Sequence, residues 1–354
     1  MNAMSHSADN RLDPSSPEST PMVSVILPTY NAAAYLGKAI KSILTQHYRH
    51  FELIIVNDGS TDETQGLLTQ YQDPRIIVIN QANLGLPKAL NQGIGIAKGK
   101  YIARQDADDI SLPERLLEQV TFMEQNPSCA LLGTWSHIKT ASGSEESDSI
   151  PSSRQHQHPA SNGQLQVLLL INNQFVHSSV MIRASCLNSI GLYSENPEHY
   201  PPEDYDLWLR IAKQHRIANL PRVLIEYLEL PTSISRTKEH LIEERAKKMS
   251  LNAITALCND ARLNTQPFTQ PFAQSFAKPD TICALIDCAN GRPSAITFTQ
   301  YWQLQSLISG IAQQIALRFP HEKDEIQKAI GFLRKQTLKA LIKSKLLRNF
   351  VRHP

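Results

Sequence analysis

Three aspartates, Asp106, Asp108 and Asp109, follow directly on the run Tyr101-Ile102-Ala103-Arg104-Gln105. The run reads as a buried strand. If extended backbone continues past it, Asp106 and Asp108 project to the same side, because side chains alternate along a strand. Two convergent carboxylates make a hard, anionic oxygen site that suits Mg²⁺ or Mn²⁺. Such an ion keeps coordination positions open for substrate phosphate oxygens. A plainer use of the same residues is a turn with a helix cap, in which Asp109 caps the helix that Pro113 opens. That use accounts for one aspartate and leaves two.

Asp204 is a second acidic centre. Leu207, Trp208 and Ile211 follow it at i+3, i+4 and i+7, so it lies on a helix face that packs inward. An inward acid at a helix start is either a cap or a catalytic group. The helix dipole favours its ionised form, and an ionised carboxylate can serve as a base. Glu203 is the neighbouring candidate, one residue round from that face. Asp58 sits on a Gly-Ser turn, where it can accept from a base N–H or a ribose hydroxyl, or stabilise its own loop. Thr29 and Asn31 stand at a helix entrance, a place for polar ligand atoms or simple capping. Lys88 and Arg104 can neutralise phosphate oxygens or serve as ordinary charges.

The elements that would position these residues alternate. Val23 to Leu27 is a strand, with the turn Pro28-Thr29-Tyr30-Asn31. A helix from Ala34 to Gln46 carries Leu36, Ile40, Ile43 and Leu44 on one face. A strand Phe51 to Val56, a helix Thr61 to Tyr71 and a strand Arg75 to Ile79 follow. A third helix begins near Pro87 and stops before Gly99. The pattern predicts an α/β fold, a mainly parallel twisted sheet with helices on both faces. Right-handed crossovers bring every strand-to-helix turn to the carboxyl end of the sheet, where ligands bind in such folds. Pro28–Asn31, Asp58–Ser60, Asn83–Lys88 and Asp106–Asp109 are therefore expected to line one crevice.

Further on, the patterns predict a helix over Pro113–Asn126, a strand over Ala130–Trp135 and a mobile polar loop over 139–164. A strand Phe175–Arg183 carrying His177 comes next. After Pro201-Pro202 a helix runs from Tyr205 to Gln214, then one or two short strands within Arg216–Tyr227, then a long helix Thr237–Leu257. Residues 1–21 read as a disordered lead-in. A linker over 261–279 holds three near-repeats around Phe268, Phe272 and Phe276. Residues from 280 onward look helical, with Ile326, Ile330, Leu333 and Leu341 on one face.

The 354 residues are enough for a large core and more than one unit. A net charge of +2 provides no overall field for nucleic acid. Five scattered cysteines, an odd count, argue against a disulfide framework and for a reducing cytoplasm. The first 21 residues lack the apolar core of a signal peptide, and no apolar run is long enough to span a bilayer. Lys335, Lys339, Lys343, Lys345, Arg348 and Arg352 make the last helix basic. That face is either solvated or a peripheral contact with an anionic membrane surface.

Val25–Asn31, Val56-Asn57-Asp58-Gly59-Ser60-Thr61-Asp62, Asn83-Leu84-Gly85, Asp106-Ala107-Asp108-Asp109 and Glu203-Asp204-Tyr205-Asp206-Leu207-Trp208 together resemble the family 2 glycosyltransferases. The resemblance covers about residues 22–236. It implies a GT-A catalytic domain over 22–236; the region 237–354 lies outside the resemblance and is read as helical from its own pattern. It also implies a nucleotide-sugar donor with UDP as the default nucleotide, a divalent cation (Mn or Mg), and single displacement with inversion. Carried over by position, Thr29, Tyr30 and Asp58 would hold the nucleoside. Pro28, Asn31, Asn83, Lys88 and Arg104 would complete the donor pocket. Asp106 would contact the ribose or lie near the metal, Asp108 would bind the metal, and Asp204 would be the general base. His177 matches a position that ligates the metal in some members; a hydrogen-bonded structural histidine is the alternative.

The family's usual acceptors make a glycan or a lipid-linked glycan of surface polysaccharide synthesis the expected partner, at the cytoplasmic side of the membrane. In place of the family's Tyr-Arg-x-His, this chain has Tyr227-Leu228-Glu229-Leu230, so Arg236 or Lys238 would have to stand in for the missing basic pair. Two rivals are a nucleotidyltransferase, which would need a Gly-rich phosphate loop absent from Leu27–Asn31, and a nucleotide-sugar-binding module without turnover.

Overall fold

The computed structural model describes residues 22–140, 154–264, 278–292 and 296–352. The 1–21 segment and the three phenylalanines of the expected linker lie outside the described residues. Strands β1 (Val23–Thr29), β2 (Phe51–Asp58), β3 (Ile76–Gln81) and β4 (Tyr101–Arg104) alternate with helices α1 (Ala33–Leu44), α2 (Thr64–Leu68) and α3 (Leu86–Ile96). The four strands are parallel, in the order β3-β2-β1-β4. Alternation sends Val23, Val25 and Leu27 to one core, with Leu36 and Ile40 of α1. Ile26, Ile54 and Val56 face the opposite core, with Ala89 and Leu90 of α3. Both faces are thus covered, as a parallel sheet requires.

The second half of the sheet is mixed. Its strands are β5 (Ile110–Ser111), β6 (Cys129–Thr140), β7 (Gln155–His156), β8 (Met181–Arg183) and β9 (Arg216–Glu229). β8 joins β4 and β6 in antiparallel pairing, β9 runs parallel to β6, and β5 closes on β9. Helices α4 (Arg115–Gln125), α5 (Asn162–Leu168), α6 (Ala184–Ile190) and α7 (Glu203–Gln214) cover it. Leu207, Trp208 and Ile211 of α7 are fully buried, so the inward face expected from their spacing is the observed one.

Four local readings differ from the structure. The helix expected from Thr61 starts only at Thr64, because Thr61 and Asp62 are drawn into the β1–α1 turn. The Thr61 amide donates to Asn31 Oδ1 at 2.8 Å, and the Ala33 amide donates to Asp62 Oδ2 at 3.1 Å. His177 opens a 3-10 turn, His177–Ser179, rather than riding on a strand. Ser178 and Ser179 divert the chain there: Ser179 Oγ bonds the Val176 carbonyl at 2.8 Å, and Ser178 Oγ accepts from the Asp106 amide at 3.0 Å. The polar stretch 139–164 ends in β7 and the start of α5, and its residues 141–153 lie outside the described residues. Arg216–Glu229 is one long strand.

After α8 (Ile234–Thr237), the helices α9 (Glu239–Asn264), α10 (Pro279–Ala289), α11 (Phe298–Arg318) and α12 (Lys323–Arg352) build a third core. Ile326, Ile330, Leu333 and Leu341 all enter it, together with Val167 and Ile171 from the α5 region. Ser161 Oγ, before α5, donates to Glu325 Oε2 of α12 at 3.0 Å, and Arg216 of β9 pairs with Glu322 in the turn before α12, so the start of α12 is tied to the α/β half of the chain.

Candidate active site

The carboxyl ends of the parallel strands lie in register, with Thr29 beside Asn57, and Asp58 beside Gln81. Their turns interlock. The Asn31 amide donates to Ser60 Oγ at 3.0 Å, and Asn31 itself adopts φ 49°. Asp58 is buried, and its carboxylate accepts from the Leu84 and Gly85 amides at 2.8 and 2.9 Å and from Gln81 Nε2 at 2.7 Å. Charge-assisted bonds of this kind are the strong ones. Asp58 therefore joins the second turn to the third instead of stabilising its own loop alone. Gly59, at φ +72°, lies so close to that third turn that a Cβ would sit 2.6 Å from the Asn83 nitrogen. Thr29 Oγ1 is buried without a hydrogen-bond partner, while Tyr30 is half exposed and Asn83 and Lys88 are exposed. The turns thus leave one buried polar atom unsatisfied beside exposed polar side chains.

β4 stops at Arg104, and the backbone bends at Ala107 and Asp108. The carboxylates are gathered by this bend and not by continued extension. Gln105 shapes it, donating from Nε2 to the carbonyls of Asp106 and Asp109 at 3.1 and 2.8 Å. Asp109 does not cap α4. Its Oδ1 accepts from the Leu228 amide of β9 at 2.8 Å, so it fastens the turn to the far half of the sheet. Burial, then the charges of Asp106 and Asp108, push its carboxyl well above the usual range. Asp108 is pushed up to about 6 by burial and by Asp106. Arg115 lies beneath, fully buried, donating to Gln105, Ser111 and the Arg104 carbonyl at 2.7–3.0 Å.

Arg104 is only 2% exposed, and its Nη1 lies 2.5 Å from Asp106 Oδ1. Burial alone would weaken its charge, but Asp106, Tyr193 and Glu203 hold it protonated. Its charge offsets part of the upward push on the carboxyls of Asp108, Glu203 and Asp204. Arg104 is thus an internal counter-charge between two acidic groups, and less a surface cation than its type implied.

Glu203 and Asp204 open α7, after cis peptide bonds at Tyr200–Pro201 and Pro201–Pro202. Both are buried, so the first turn of α7 is enclosed on two sides and Glu203 is not turned away as its position predicted. Asp204 Oδ2 accepts from Asn173 Nδ2 at 2.8 Å, and Oδ1 accepts from the Tyr205 amide at 2.8 Å. Burial raises its pKa, and these bonds hold the rise back. Glu203 is pushed up to about 8, by burial first and Asp204 second, and its own backbone amide and Arg104 offset only part of the rise. Burial and the charge of Asp204 thus favour the protonated form of Glu203, while the two hydrogen bonds favour the charged form of Asp204.

His177 Nε2 shares a 2.9 Å hydrogen bond with the Tyr193 hydroxyl, and Nδ1 lies 3.6 Å from Glu203 Oε1. Burial, aided by Arg104, keeps its imidazole neutral, and Trp208 packs edge-on at 5.9 Å. Among the described residues, no group of three or more His, Cys, Asp or Glu side chains stands assembled to hold a metal. Asp106, Asp108 and His177 are thus not a preformed ligand shell, since the ring of His177 is turned to Tyr193. The donor chemistry of Asp106 and Asp108 nevertheless fits a hard divalent ion, whose charge would relieve their mutual repulsion and whose other ligands would be diphosphate and water oxygens.

The segment that departs from the family pattern borders the acidic turn. Tyr227 is pushed up to about 12 by burial, with added repulsion from Asp106, Asp109 and Asp108. Arg236 is ion-paired to Glu229 at 2.7 Å, whereas Lys238 lies over the Tyr200 ring at 5.4 Å. Of the two substitutes for the missing basic pair, Lys238 is the one not committed to a carboxylate. Asn173, Tyr193 and Tyr200 were not singled out from sequence. A polar Asn172-Asn173-Gln174 triplet interrupting the apolar stretch 165–176 is the signal by which the first could have been found.

With this geometry in view, the chain can be compared with known proteins. The model of the family described as Glycosyl transferase family 2 matches residues 24–188. An uncharacterized glycosyltransferase of Haemophilus influenzae is 33% identical over 250 residues, which is 68% of this chain and 76% of that protein. The amylovoran biosynthesis glycosyltransferase AmsE of Erwinia amylovora is 34% identical over 211 residues, 58% of this chain and 75% of that protein. TarS 1–349 of S. aureus, solved in complex with UDP-GlcNAc, aligns with a TM-score of 0.52 at 18% identity, over 89% of this chain and 90% of its own. That likeness is one of fold. Fold and relatives together define a glycosyl-transferring enzyme built on a GT-A-like α/β sheet. The chain belongs to glycosyltransferase family 2.

Proposed function

We propose that this enzyme moves a sugar with inversion from a nucleotide-sugar, with UDP as the expected nucleotide, to a hydroxyl of a glycan or lipid-linked acceptor, in surface polysaccharide synthesis. The observation that carries this reading is the buried Arg104, ion-paired to Asp106 of the acidic turn at 2.5 Å and close enough to Glu203 and Asp204 of α7 for its charge to act on both. The two acidic groups therefore share one electrostatic field, as donor and acceptor chemistry in one cleft requires. AmsE, named for amylovoran biosynthesis, supports the polysaccharide assignment. A lipid-linked acceptor would bring the enzyme to the cytoplasmic face of the membrane as a peripheral protein.

In this reading residues 22–236 form the catalytic domain. Pro28, Thr29, Tyr30 and Asn31 receive the nucleoside, with Asp58 and Asn83 holding the opposite wall and Lys88 at the rim. Asp106 and Asp108 would hold a divalent cation, which when bound acts as a Lewis acid on the leaving diphosphate. The transition state resembles an oxocarbenium ion, so a negative cleft favours it. Asp204 takes the proton of the acceptor hydroxyl. Glu203 keeps its own proton, so the negative charge of the pair is concentrated on the base. Asn173 holds that carboxylate in place.

A thermal-shift screen of nucleotide-sugars with and without Mn²⁺, followed by transfer assays with the donors that bind, tests the proposal. A bound ligand stabilises the folded state by mass action. Metal-dependent stabilisation by a nucleotide-sugar and sugar transfer to a hydroxyl acceptor are expected. Binding without hydrolysis or transfer over a broad acceptor panel would favour a non-catalytic module.

A further inference from the structure

α11 and α12 are antiparallel neighbours whose register is set by three contacts. Gln305 Nε2 donates to Thr337 Oγ1 at 2.8 Å, Arg334 Nη2 to Ser309 Oγ at 3.0 Å, and the Ile296 amide to Ser344 Oγ at 3.0 Å. The start of α11 therefore lies beside the 338–344 stretch of α12. Large apolar side chains are exposed on both: Phe298 59%, Trp302 57%, Leu338 43% and Ile342 51%. Phe298 and Trp302 are one helical turn apart and in edge contact at 6.0 Å. Leu338 and Ile342 are likewise one turn apart, on the side of α12 next to Arg334, which reaches α11. The four form one composite face. They are not needed for the third core, which is filled by the opposite sides of the same helices.

The charges that α11 and the described part of α12 past Glu325 place beside this face are all basic. Arg334, Lys335, Lys339 and Lys343 are exposed beside it. Phe298–Arg318 contains no acidic residue, and α12 has none after Glu325. In a chain with a net charge of only +2, this is a local segregation. A solvated helix face carries mixed charges and few aromatics. A tryptophan and a phenylalanine flanked by lysines is the composition that lodges at a bilayer interface, rings among the headgroups and ammonium groups on anionic phosphates. Among the described residues no helix is long and apolar enough to cross a membrane, so contact through this face would be in the plane of the surface.

We propose that the amino-terminal half of α11 and the exposed side of α12 dock on an anionic bilayer, with Trp302 and Ile342 entering the headgroup layer and Lys335, Lys339 and Lys343 meeting its phosphates. This goes beyond the transfer reaction and supplies a surface for the peripheral location proposed with it. The test uses the full chain without donor, so its outcome is separate from that of the transfer assays. Co-sedimentation is measured with vesicles of phosphatidylglycerol in phosphatidylcholine and with phosphatidylcholine alone, while tryptophan emission is recorded. Trp208 is buried, and Trp135 is partly covered and bonded to the His158 carbonyl at 2.9 Å, so a vesicle-induced blue shift should arise from Trp302 and vanish in Trp302→Phe.

Binding is expected for anionic vesicles, not neutral ones. It should weaken by about tenfold or more in the triple variant Lys335→Glu, Lys339→Glu, Lys343→Glu, and in Trp302→Ser with Ile342→Ser. Thermal melts unchanged from the parent show that these variants are folded. Absence of binding, equal binding to neutral vesicles, or binding indifferent to both sets of substitutions would overturn the proposal. So would tight binding to soluble polyglutamate with no emission shift on vesicles, which would mark a site for an acidic protein instead.

Discussion

Asn173 Nδ2 lies 2.8 Å from Asp204 Oδ2, which joins the polar triplet after α5 to the first turn of α7. The bond stabilises the charged carboxylate against the pull of burial. Asn173→Ala should therefore raise the pKa of Asp204 further. The acid limb of a kcat/KM profile would move to higher pH, and donor affinity would hold. The profile is the check: an unmoved acid limb would show that Asn173 does not tune the base.

Glu203 gives a stability prediction. Its folded value of about 8 stands above the ordinary 4.5. Between those values the folded chain keeps a proton that the unfolded chain has released. Stability thus falls as pH rises through this window, by up to about 1.4 kcal/mol per pH unit, and the favourable contribution is fully present only below the lower value. Glu203→Gln should flatten this dependence. Urea denaturation at about pH 5 and about pH 8 would measure it, with the variant gaining on the parent mainly at the higher pH.

Gly59 meets two demands at once, a positive φ and the close approach of Asn83. Gly59→Ala must strain the backbone and displace the third turn, at a cost of about 2 kcal/mol or more. Because Asp58 is bonded to that turn through the Leu84 and Gly85 amides, nucleotide affinity should fall together with stability. Denaturation and nucleotide titration on the same variant would show the two losses, and full nucleotide affinity in a destabilised protein would separate Asp58 from the pocket.

Asp108→Ala removes one carboxylate from the acidic turn. Mn²⁺-dependent nucleotide binding should weaken, while binding without metal should change little. Isothermal titration with Mn²⁺ and with chelator makes the comparison, and an unchanged Mn²⁺ increment would take Asp108 out of the metal site. The fold should tolerate the change, since removing one of three crowded carboxylates lessens repulsion at the bend.

The convergence of four distant turns was legible in the chain, because strand–helix alternation and crossover handedness leave one edge for all of them. Thr29, Asn31, Asp58 and the Asp106–Asp109 bend are where that rule puts them. What the pattern could not carry was contact between elements without periodic relation. Asn173 reaches Asp204 and Tyr193 reaches His177 only through tertiary packing. The burial of Glu203 escaped because a helix-face argument assumes one covered side, whereas the first turn of α7 has two. The 3-10 turn at His177 escaped because Ser178 and Ser179 spend their hydroxyls on backbone groups, a choice that β-propensity does not register.

The base assignment is tested most directly by Asp204→Asn, assayed for donor binding and for sugar transfer in parallel. The substitution keeps shape and leaves an amide that cannot take a proton. Donor affinity should be retained and transfer should drop by about 10²–10⁴-fold. Transfer at the parent rate, with the donor bound equally well, would contradict the account.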